Sequence, residues 1–203
     1  MGSLAAHIVS VAALSSEQAA EMCSLYAGYY EGTSAETFQA DLHDKDYVLL
    51  LKDEQDRVQG FSTLAVQSFD FEGQHHRALF SGDTIIDHRH WGQQSFARAW
   101  IQFAGQIKAQ ERETPLYWFL ICKGHRTYRY LPNFSNRFFP TWETETPARE
   151  QALMDRLARV RFGKVYDRDR GVLHFPTSRG HLRGKWVHVP EHLKSRPEVA
   201  PIV

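Results

Sequence analysis

The stretch Ala78–Gln94, ALFSGDTIIDHRHWGQQ, organises the rest of the chain. Its first part is rich in apolar and β-branched residues up to Ile85 and Ile86, which predicts a strand. A polar turn that contains Gly92 follows, and a helical pattern begins after it. Glycine adopts backbone angles closed to other residues, and a helix start exposes N–H groups without partners. A strand, a glycine turn and a helix N-terminus together predict a binding site for phosphate or pyrophosphate.

The composition is that of an ordinary globular protein of 203 residues, with 42% hydrophobic and 24% charged residues. We expect one domain over residues 1–190 and a tail over residues 191–203. No apolar run approaches the ~20 residues that cross a bilayer, so we expect no membrane partner. The first residues lack the basic start of a secretory signal, and Cys23 and Cys122 have no closely spaced partner. We therefore expect a cytoplasmic location.

The net charge of zero conceals an asymmetry along the chain. Acidic residues outnumber basic ones ten to two over residues 1–56, whereas basic residues outnumber acidic ones eleven to three over residues 156–196. The basic segment favours an anionic partner. It is equally compatible with a solvated surface that the acidic half neutralises.

Local patterns predict the elements of the first half. Capping boxes at Ser15–Gln18 and Thr33–Glu36 predict two helices, and strand formers at Tyr47–Leu51 and Val58–Gln67 predict a hairpin. Three tyrosines near the end of the first helix either shape a pocket or pack in the core, namely Tyr26, Tyr29 and Tyr30.

The second half continues the sheet. After the central turn, apolar residues at helical spacing predict a helix that packs on the sheet. The continuous apolar run Leu116–Cys122 predicts a strand buried on both faces, parallel to the strand before the helix. A further helix is predicted from Pro147 to Gly163. We also expect a last hairpin of the sheet from residues 165–166 and 172–175, and a short strand at residues 186–189.

The turn and its surroundings resemble the acyl-CoA-binding turn of the GNAT N-acyltransferase superfamily. The superfamily motif is Arg or Gln, two residues, Gly, one residue, then Gly or Ala. Arg89 and Gly92 match it, and Gln94 replaces the final small residue. The resemblance covers roughly Tyr47 to Phe139. It implies an α/β (α+β) fold with a mixed, mostly antiparallel sheet, a splayed central parallel pair and helices on both faces.

The resemblance also implies acyl-CoA as the acyl donor, with its pyrophosphate held in the turn mostly by backbone N–H groups. The residues that it assigns to donor binding are Ile86, Arg89, Trp91, Gly92, Gln93, Gln94 and Ser95. In GNAT folds the first two helices line the acceptor side, and the acyl-pantetheine arm lies between the two splayed strands.

Acyl transfer to an amine needs a base, a stabilised carbonyl oxygen and an acid for the departing thiolate. Asp83, in the central strand, is the candidate base or amine-binding group; its other interpretation is a carboxylate paired with an arginine. In the family a tyrosine often supplies the acid, but Phe134 occupies that position here. Tyr128 and Tyr130 are the remaining candidates for the acid, or else packing residues. Pro132 is predicted to interrupt any helix in this segment.

We therefore predict an N-acyltransferase that moves an acyl group, such as acetyl, from acyl-CoA to an amine of a small molecule. The alternative donor is a thioester on an acidic acyl carrier protein, which Arg179, Arg183 and Lys185 would suit. Nucleic acid is a weaker use of the same segment, because its aromatic residues are sparse.

Two other classes of function stay open. The first is a catalytically silent module that binds an acyl thioester or a partner, which the replacement at Gln94 would favour. The second is a histidine-based metalloenzyme, in which His88 and His90 would converge with His75–His76 and His125. No further ligand is fixed by spacing, so we assign no metal site.

Overall fold

A computed structural model describes residues 2–122, 125–189 and 191. The chain divides into two compact units, Met1–Leu120 and Ile121–Val203. The predicted tail over residues 191–203 lies outside the described residues except for Glu191. The prediction of one domain over residues 1–190 with a separate tail therefore stays a prediction.

The first unit contains a five-stranded sheet. Its strands are β1 (Ala5–Ser10), β3 (Tyr47–Lys52), β4 (Val58–Phe71), β5 (Gln74–Ile86) and β6 (Leu116–Leu120), and a two-residue strand, β2 (Tyr30–Glu31), precedes β3 in the chain. The order in the sheet is β1-β3-β4-β5-β6, and every pair is antiparallel except β5 and β6, which are parallel. The predicted mixed, mostly antiparallel sheet with one parallel pair is confirmed.

Helices of the first unit cover both faces of this sheet: α1 (Ser16–Tyr29), α2 (Ala35–His43) and α3 (Ser95–Gln110). Phe96, Phe103 and Ile107 of α3 share one core cluster with leucines of β3, β4 and β5. On the opposite face, Phe38 of α2 packs edge-on against Phe61 of β4, with 6.0 Å between ring centroids. Among the described residues, no helix has the length and apolar character needed to cross a membrane.

Side-chain caps fix where α1 and α2 begin. Ser15 and Gln18 form the predicted capping box, with hydrogen bonds of 3.1 Å and 3.0 Å between side chains and backbone N–H groups. The second box was placed one residue too early. Ser34, and not Thr33, is the N-cap, because its Oγ accepts the N–H of Thr37 at 3.2 Å. Either hydroxyl residue suits an N-cap, so the choice rests on backbone geometry that the pattern does not contain.

A β-bulge interrupts the pairing of β4 with β5. Ser62 pairs with Thr84, whereas Leu64 pairs with Ser81, so β4 advances two residues while β5 advances three. The extra residue lies within Gly82–Asp83, and this pair faces a single residue of β4. Such an insertion bends the strand locally and redirects side chains.

The bulge changes which side chains of β5 share a face. Leu79 and Ile86 both pack in the cluster that α3 covers, although they are seven residues apart. In an uninterrupted strand, residues an odd number apart point to opposite faces. Asp83 therefore belongs with the side chains that face α1 and α2, where its charge acts on Tyr26 of α1 and Tyr30 of β2.

The prediction that β6 is buried on both faces is wrong. The strand covers Leu116–Leu120, ends before Cys122, and each of its residues is half-buried. Among the strands that the structure describes, it pairs only with β5, so it is the edge strand of that sheet. A continuous apolar run does not distinguish a central strand from an edge strand that carries large half-covered rings.

The second unit is mainly helical. Its elements are α4 (His125–Tyr128), α5 (Tyr130–Phe134), α6 (Ala148–Phe162), β7 (Tyr166–Asp167), β8 (Val172–Leu173), β9 (His181–Leu182) and α7 (Gly184–Val187). Helix α6 ends as predicted at Gly163, which has φ +56°. Pro147 is its N-cap and not its first helical residue.

Two strand predictions in this unit are corrected. β7 and β8 form the predicted hairpin, but as a separate two-stranded sheet and not as part of the main sheet. Each contributes only two residues, and both of these pair with the other strand of the hairpin. Trp186 lies in α7 and not in a strand, because its N–H closes a helical turn on the carbonyl of Arg183 at 2.8 Å.

A buried carboxylate holds the second unit together locally. Asp155 of α6 accepts hydrogen bonds from Gln151 (2.8 Å), from the hydroxyl of Tyr166 (2.6 Å) and from Nε of Arg168 (2.7 Å). Three donors satisfy most of the acceptor capacity of a carboxylate that is only 4% exposed. This side chain therefore ties α6 to β7 and to the residue that follows it.

Candidate functional site

The parallel strands β5 and β6 separate after the pair formed by Ser81 and Leu120. Their pairing ends at Ser81 and Leu120, whereas β5 continues for five more residues to Ile86. In the described part of the chain, Gly82–Ile86 has no strand partner on the side of β6. An open strand edge presents N–H and C=O groups that a ligand can bind.

The predicted turn begins with a short 3-10 helix over His88–His90. Asp87 caps it, since its Oδ1 accepts the N–H of Arg89 at 2.9 Å and its carbonyl accepts the N–H of His90 at 2.8 Å. The N–H of Trp91 donates to the carbonyl of His88 at 3.3 Å. The backbone amides of residues 89–91 are therefore bound within the protein.

The next amides are different. Gly92 has φ +89°, in the left-handed region that favours glycine. Across the described residues, the N–H groups of residues 92–95 have no hydrogen-bond acceptor, and Gln94 as N-cap of α3 makes no side-chain cap. The Oγ of Ser95 is buried and has no partner among the described residues. Consecutive unbonded amides at the positive end of a helix dipole suit a phosphate oxygen.

Arg89 lies beside these amides but is bound to Asp87. Its Nε and one terminal nitrogen donate to the two carboxylate oxygens at 2.9 Å and 3.0 Å. This hydrogen bond lowers the pKa of Asp87 and raises the pKa of Arg89. Because 62% of the arginine side chain is exposed, its free face can still meet an anion that arrives at the turn.

The pair gives a pH-dependent prediction. The folded pKa of Asp87 lies below its unfolded value, so the pair stabilises the fold at neutral pH and this contribution is lost as pH falls through the folded pKa. We expect Asp87→Asn to lower the free energy of unfolding by about 0.2–1 kcal/mol at pH 7. The difference from wild type should shrink below about pH 4. Urea unfolding between pH 3 and pH 7 measures it, and a pH-independent difference would contradict the assignment.

Other predicted donor-binding residues shape the turn through their side chains. The indole N–H of Trp91 donates to the carbonyl of Ile86 at 2.8 Å, while 46% of the residue stays exposed. The side-chain amide of Gln93 binds the backbone of residues 2–4, since its Oε1 accepts the N–H of Leu4 at 3.2 Å and its Nε2 donates to the carbonyl of Gly2 at 3.3 Å. The turn is thus held in place before any ligand arrives.

Asp83 lies at the bulge, close to two tyrosines on the face of the sheet that α1 and α2 cover. Tyr26 and Tyr30 are stacked, with 4.7 Å between ring centroids and 5° between planes. Burial and, secondly, the charge of Asp83 raise the pKa of both phenols, that of Tyr30 to about 12. Both hydroxyls are therefore protonated at neutral pH and can donate hydrogen bonds.

A third tyrosine joins this face to the turn. The hydroxyl of Tyr29 accepts the N–H of His88 at 2.6 Å and lies 3.3 Å from its Nδ1. The contact joins residues 59 positions apart, and no local pattern signals it. Sequence reasoning placed Tyr29 in a cluster of possible pocket or core residues but did not connect it to the turn.

Tyr128 and Tyr130, the candidates for the acid, lie in the second unit. The hydroxyl of Tyr128 donates to the carbonyl of Pro140 at 3.1 Å, and its ring packs edge-on against Phe138 at 6.3 Å. Tyr130 stacks on Phe134, and burial raises the pKa of its phenol. Their part in the chemistry stays a prediction.

Pro132 does not prevent a helix, contrary to expectation. Helix α5 begins at Tyr130, so Pro132 lies in its first turn. There the missing N–H would have had no partner within the helix. The break occurs earlier instead, at Arg129 between α4 and α5.

The histidines of the metal hypothesis have other neighbours. Nδ1 of His76 lies 2.9 Å from the carbonyl of Gln74, and its ring stacks on Phe69 and Tyr117. His88 is beside the hydroxyl of Tyr29. The side chain of His125 lies outside the described residues. Among the residues that are described, no group of three or more His, Cys, Asp or Glu side chains is placed to hold a metal ion.

Comparison with known proteins gives matches in structure only. No family model matches the sequence, and no curated protein matches it either. A ribosomal-protein-alanine N-acetyltransferase from Brucella melitensis is 16% identical, with a TM-score of 0.48 over 71% of this chain and 98% of its own. A glucosamine-6-phosphate N-acetyltransferase from Arabidopsis thaliana is 13% identical, with a TM-score of 0.46 over 67% and 95%.

A third similar structure is a GNAT-family N-acetyltransferase from Escherichia coli in complex with CoA. It is 16% identical, with a TM-score of 0.40 over 55% of this chain and 61% of its own. At these identities and TM-scores, the similarities transfer neither an activity nor a substrate to this chain. The mostly antiparallel sheet, the parallel pair and the helices on both faces are the features that the resemblance implied, and the chain has a GNAT-like fold.

Proposed function

We propose that the protein is an N-acyltransferase that moves an acyl group from acyl-CoA to a primary amine of a small molecule. The observation that carries the proposal is the run of unbonded amides at residues 92–95, at the start of the helix that follows the strand that separates from β6. A phosphate group bound there would lie in line with the open edge of Gly82–Ile86. The rest of an extended thioester would then run along that edge.

The proposed reaction requires three events. The amine nitrogen attacks the thioester carbon, the C–S bond breaks, and the thiolate takes up a proton. Asp83 would accept the proton that the ammonium group of the acceptor must lose, or hold that group in place. N–H groups on the open edge of β5 would stabilise the carbonyl oxygen as it becomes negative. Tyr128 or Tyr130 would protonate the thiolate, the role we expect of them from the sequence.

The proposal predicts that Gly92→Trp weakens thioester binding. The substitution forces a side chain into the left-handed region, at a cost of about 1–2 kcal/mol, and sets an indole over the amides. We expect affinity for acetyl-CoA to fall at least tenfold, equivalent to about 1.4 kcal/mol. Isothermal titration calorimetry measures the affinity directly.

Gly73→Trp is the matched control. Gly73 has φ +74° in the exposed turn between β4 and β5, so the substitution imposes the same backbone strain away from the site. We expect it to lower the melting temperature as much as Gly92→Trp does and to leave acetyl-CoA affinity unchanged. Equal affinity in both variants would count against the proposed donor site.

A thiol-release assay separates an enzyme from a silent binding module. An enzyme releases free CoA thiol when an amine acceptor is added, and a thiol-reactive dye detects the release. Saturable binding without thiol release across a broad panel of amines would favour the silent module. A carrier-protein donor would appear as turnover with an acyl-phosphopantetheinyl protein but not with the acyl-CoA of the same chain length.

A further inference from the structure

Aromatic rings wall the closed end of the gap between β5 and β6 on both faces of the sheet. On the face that α3 covers, Trp100 and Trp118 lie 4.5 Å apart between ring centroids. On the opposite face, Phe80 and Phe119 lie 5.6 Å apart. In the register, Phe80 pairs with Phe119 one step before the last pair, Ser81 with Leu120, and Trp118 pairs with Leu79 one step earlier still.

The two tryptophans are held in place by one hydroxyl. Nε1 of Trp118 donates to Oγ of Ser81 at 2.9 Å, and Nε1 of Trp100 donates to the same oxygen at 3.3 Å. Ser81 is the last residue of β5 that pairs with β6. Because a rotation of either indole would break a hydrogen bond to a buried oxygen, the rings form a fixed wall.

The proposed donor site fixes the direction from which an acyl chain would meet this wall. With the phosphate at residues 92–95 and the thioester near Asp83, the donor runs along β5 towards Ser81. Asp83 lies two residues beyond Ser81, which corresponds to about 5–7 Å along a strand and less where a bulge bends it. The acyl tail would therefore point at the rings and reach them within a few carbon atoms.

We infer that the protein is specific for short acyl groups such as acetyl and propionyl, and that Trp118 and Phe119 set this limit. The inference rests on the proposed function, because it assumes the donor bound along β5. An acyl chain longer than the gap collides with a ring that is packed against a second ring on each face. A two- or three-carbon group ends before that contact.

The test compares the affinities of acetyl-CoA, butyryl-CoA and octanoyl-CoA for the whole protein by calorimetry. Each additional buried methylene normally favours binding, so an unrestricted site should bind octanoyl-CoA most tightly. We expect the opposite order in the wild type, with octanoyl-CoA at least tenfold weaker than acetyl-CoA. In Phe119→Ala and Trp118→Ala the disadvantage of the octanoyl chain should shrink at least fivefold.

Tyr117→Ala serves as the matched control. Tyr117 is on the same strand, stacks on His76 and pairs with Ala78, three positions before the strands part. Its removal should leave the order of acyl preference unchanged. If an alanine variant melts below the assay temperature, Phe119→Leu and Trp118→Phe replace the same rings by smaller side chains with a smaller loss of packing. These variants should shift the acyl preference in the same direction.

The outcomes separate the two proposals. Wild-type affinity for octanoyl-CoA equal to or above that for acetyl-CoA would overturn the chain-length limit and leave the donor site standing. An unchanged preference in every wall variant would overturn the assignment of Trp118 and Phe119. Absence of binding by all three thioesters would refute the proposed function, and the chain-length limit would fall with it.

Discussion

Replacement of Asp83 by asparagine should reduce turnover by about 10²–10⁴-fold, the usual contribution of a general acid or base. The substitution keeps the size of the side chain and removes its charge. Affinity for acetyl-CoA should change less than threefold, because the proposed phosphate contacts are at residues 92–95. Steady-state kinetics with a responsive amine, combined with calorimetry, measures both quantities. Turnover within threefold of wild type would exclude Asp83 as the base.

The pKa of Tyr30 provides a test of the charge of Asp83 that does not depend on activity. Burial is the main cause of the raised pKa of Tyr30, which is about 12, and the charge of Asp83 is the second. In Asp83→Asn the burial remains and the charge is gone, so the pKa should fall only part of the way towards 10. Alkaline titration with selectively labelled tyrosine, followed by NMR, measures the shift.

Asp56→Asn is the control for this variant. It makes the same chemical change at an exposed carboxylate in the turn between β3 and β4, where Asp56 pairs with Lys52. Turnover and the pKa of Tyr30 should both stay at their wild-type values. A loss of turnover equal to that of Asp83→Asn would point to a general effect of charge and not to catalysis.

Gly82→Ala should destabilise the protein by about 1–3 kcal/mol, as overpacking of a well-packed interior does. A methyl group at this position would lie 2.5 Å from Oγ1 of Thr63 and 2.9 Å from Cε of Lys45. Neither atom moves easily. Thr63 is 1% exposed, and Nζ of Lys45 is held by the carboxylate and the carbonyl of Asp41 at 2.9 Å and 2.7 Å.

The bulge that carries Asp83 should shift in this variant, so turnover should fall together with stability. Thr63→Ala in the Gly82→Ala background removes the hydroxyl that the new methyl group meets. We expect the double variant to recover at least half of the lost stability, which corresponds to a coupling energy of about 0.5–3 kcal/mol in a double-mutant cycle. Strictly additive effects would mean that the clash with Thr63 is not the cause.

Gly105→Ala should change the stability of the protein in the opposite direction. Gly105 lies on the exposed side of α3, and a methyl group there would meet nothing within 4 Å. Alanine in a helix interior is favoured over glycine by roughly 0.5–1 kcal/mol. Thermal unfolding should therefore show stabilisation by Gly105→Ala and destabilisation by Gly82→Ala.

Features that depend on neighbouring residues could be predicted from the sequence. The capping box of Ser15 and Gln18 contains both of its partners within four residues, and the structure shows both hydrogen bonds. The strand and the turn of the stretch Ala78–Gln94 are likewise local and present, and the predicted helix begins just after the stretch, at Ser95. The parallel pair followed from the length of the connection between its strands, which leaves room for a crossover helix.

Features that depend on pairing between distant segments could not be predicted. The bulge exists only in the register of β4 against β5, so the sequence of β5 alone does not reveal that Asp83 shares a face with Phe80 and not with Leu79. The amides that stay open after Trp91 depend on where a 3-10 helix ends. The pairing of Asp87 with Arg89 is local, but the motif assigns Arg89 to donor binding and predicts no role for Asp87 as a cap.

The hydrogen bond from the amide of His88 to the hydroxyl of Tyr29 has a consequence for local unfolding. The final turn of α1 carries Tyr29, next to Tyr30 and the proposed acceptor position, while His88 starts the segment that leads to the proposed donor amides. Fraying of that helix end releases one of the contacts that hold the segment. Loss of order at one proposed substrate position would therefore favour loss of order at the other, at a free energy below that of global unfolding.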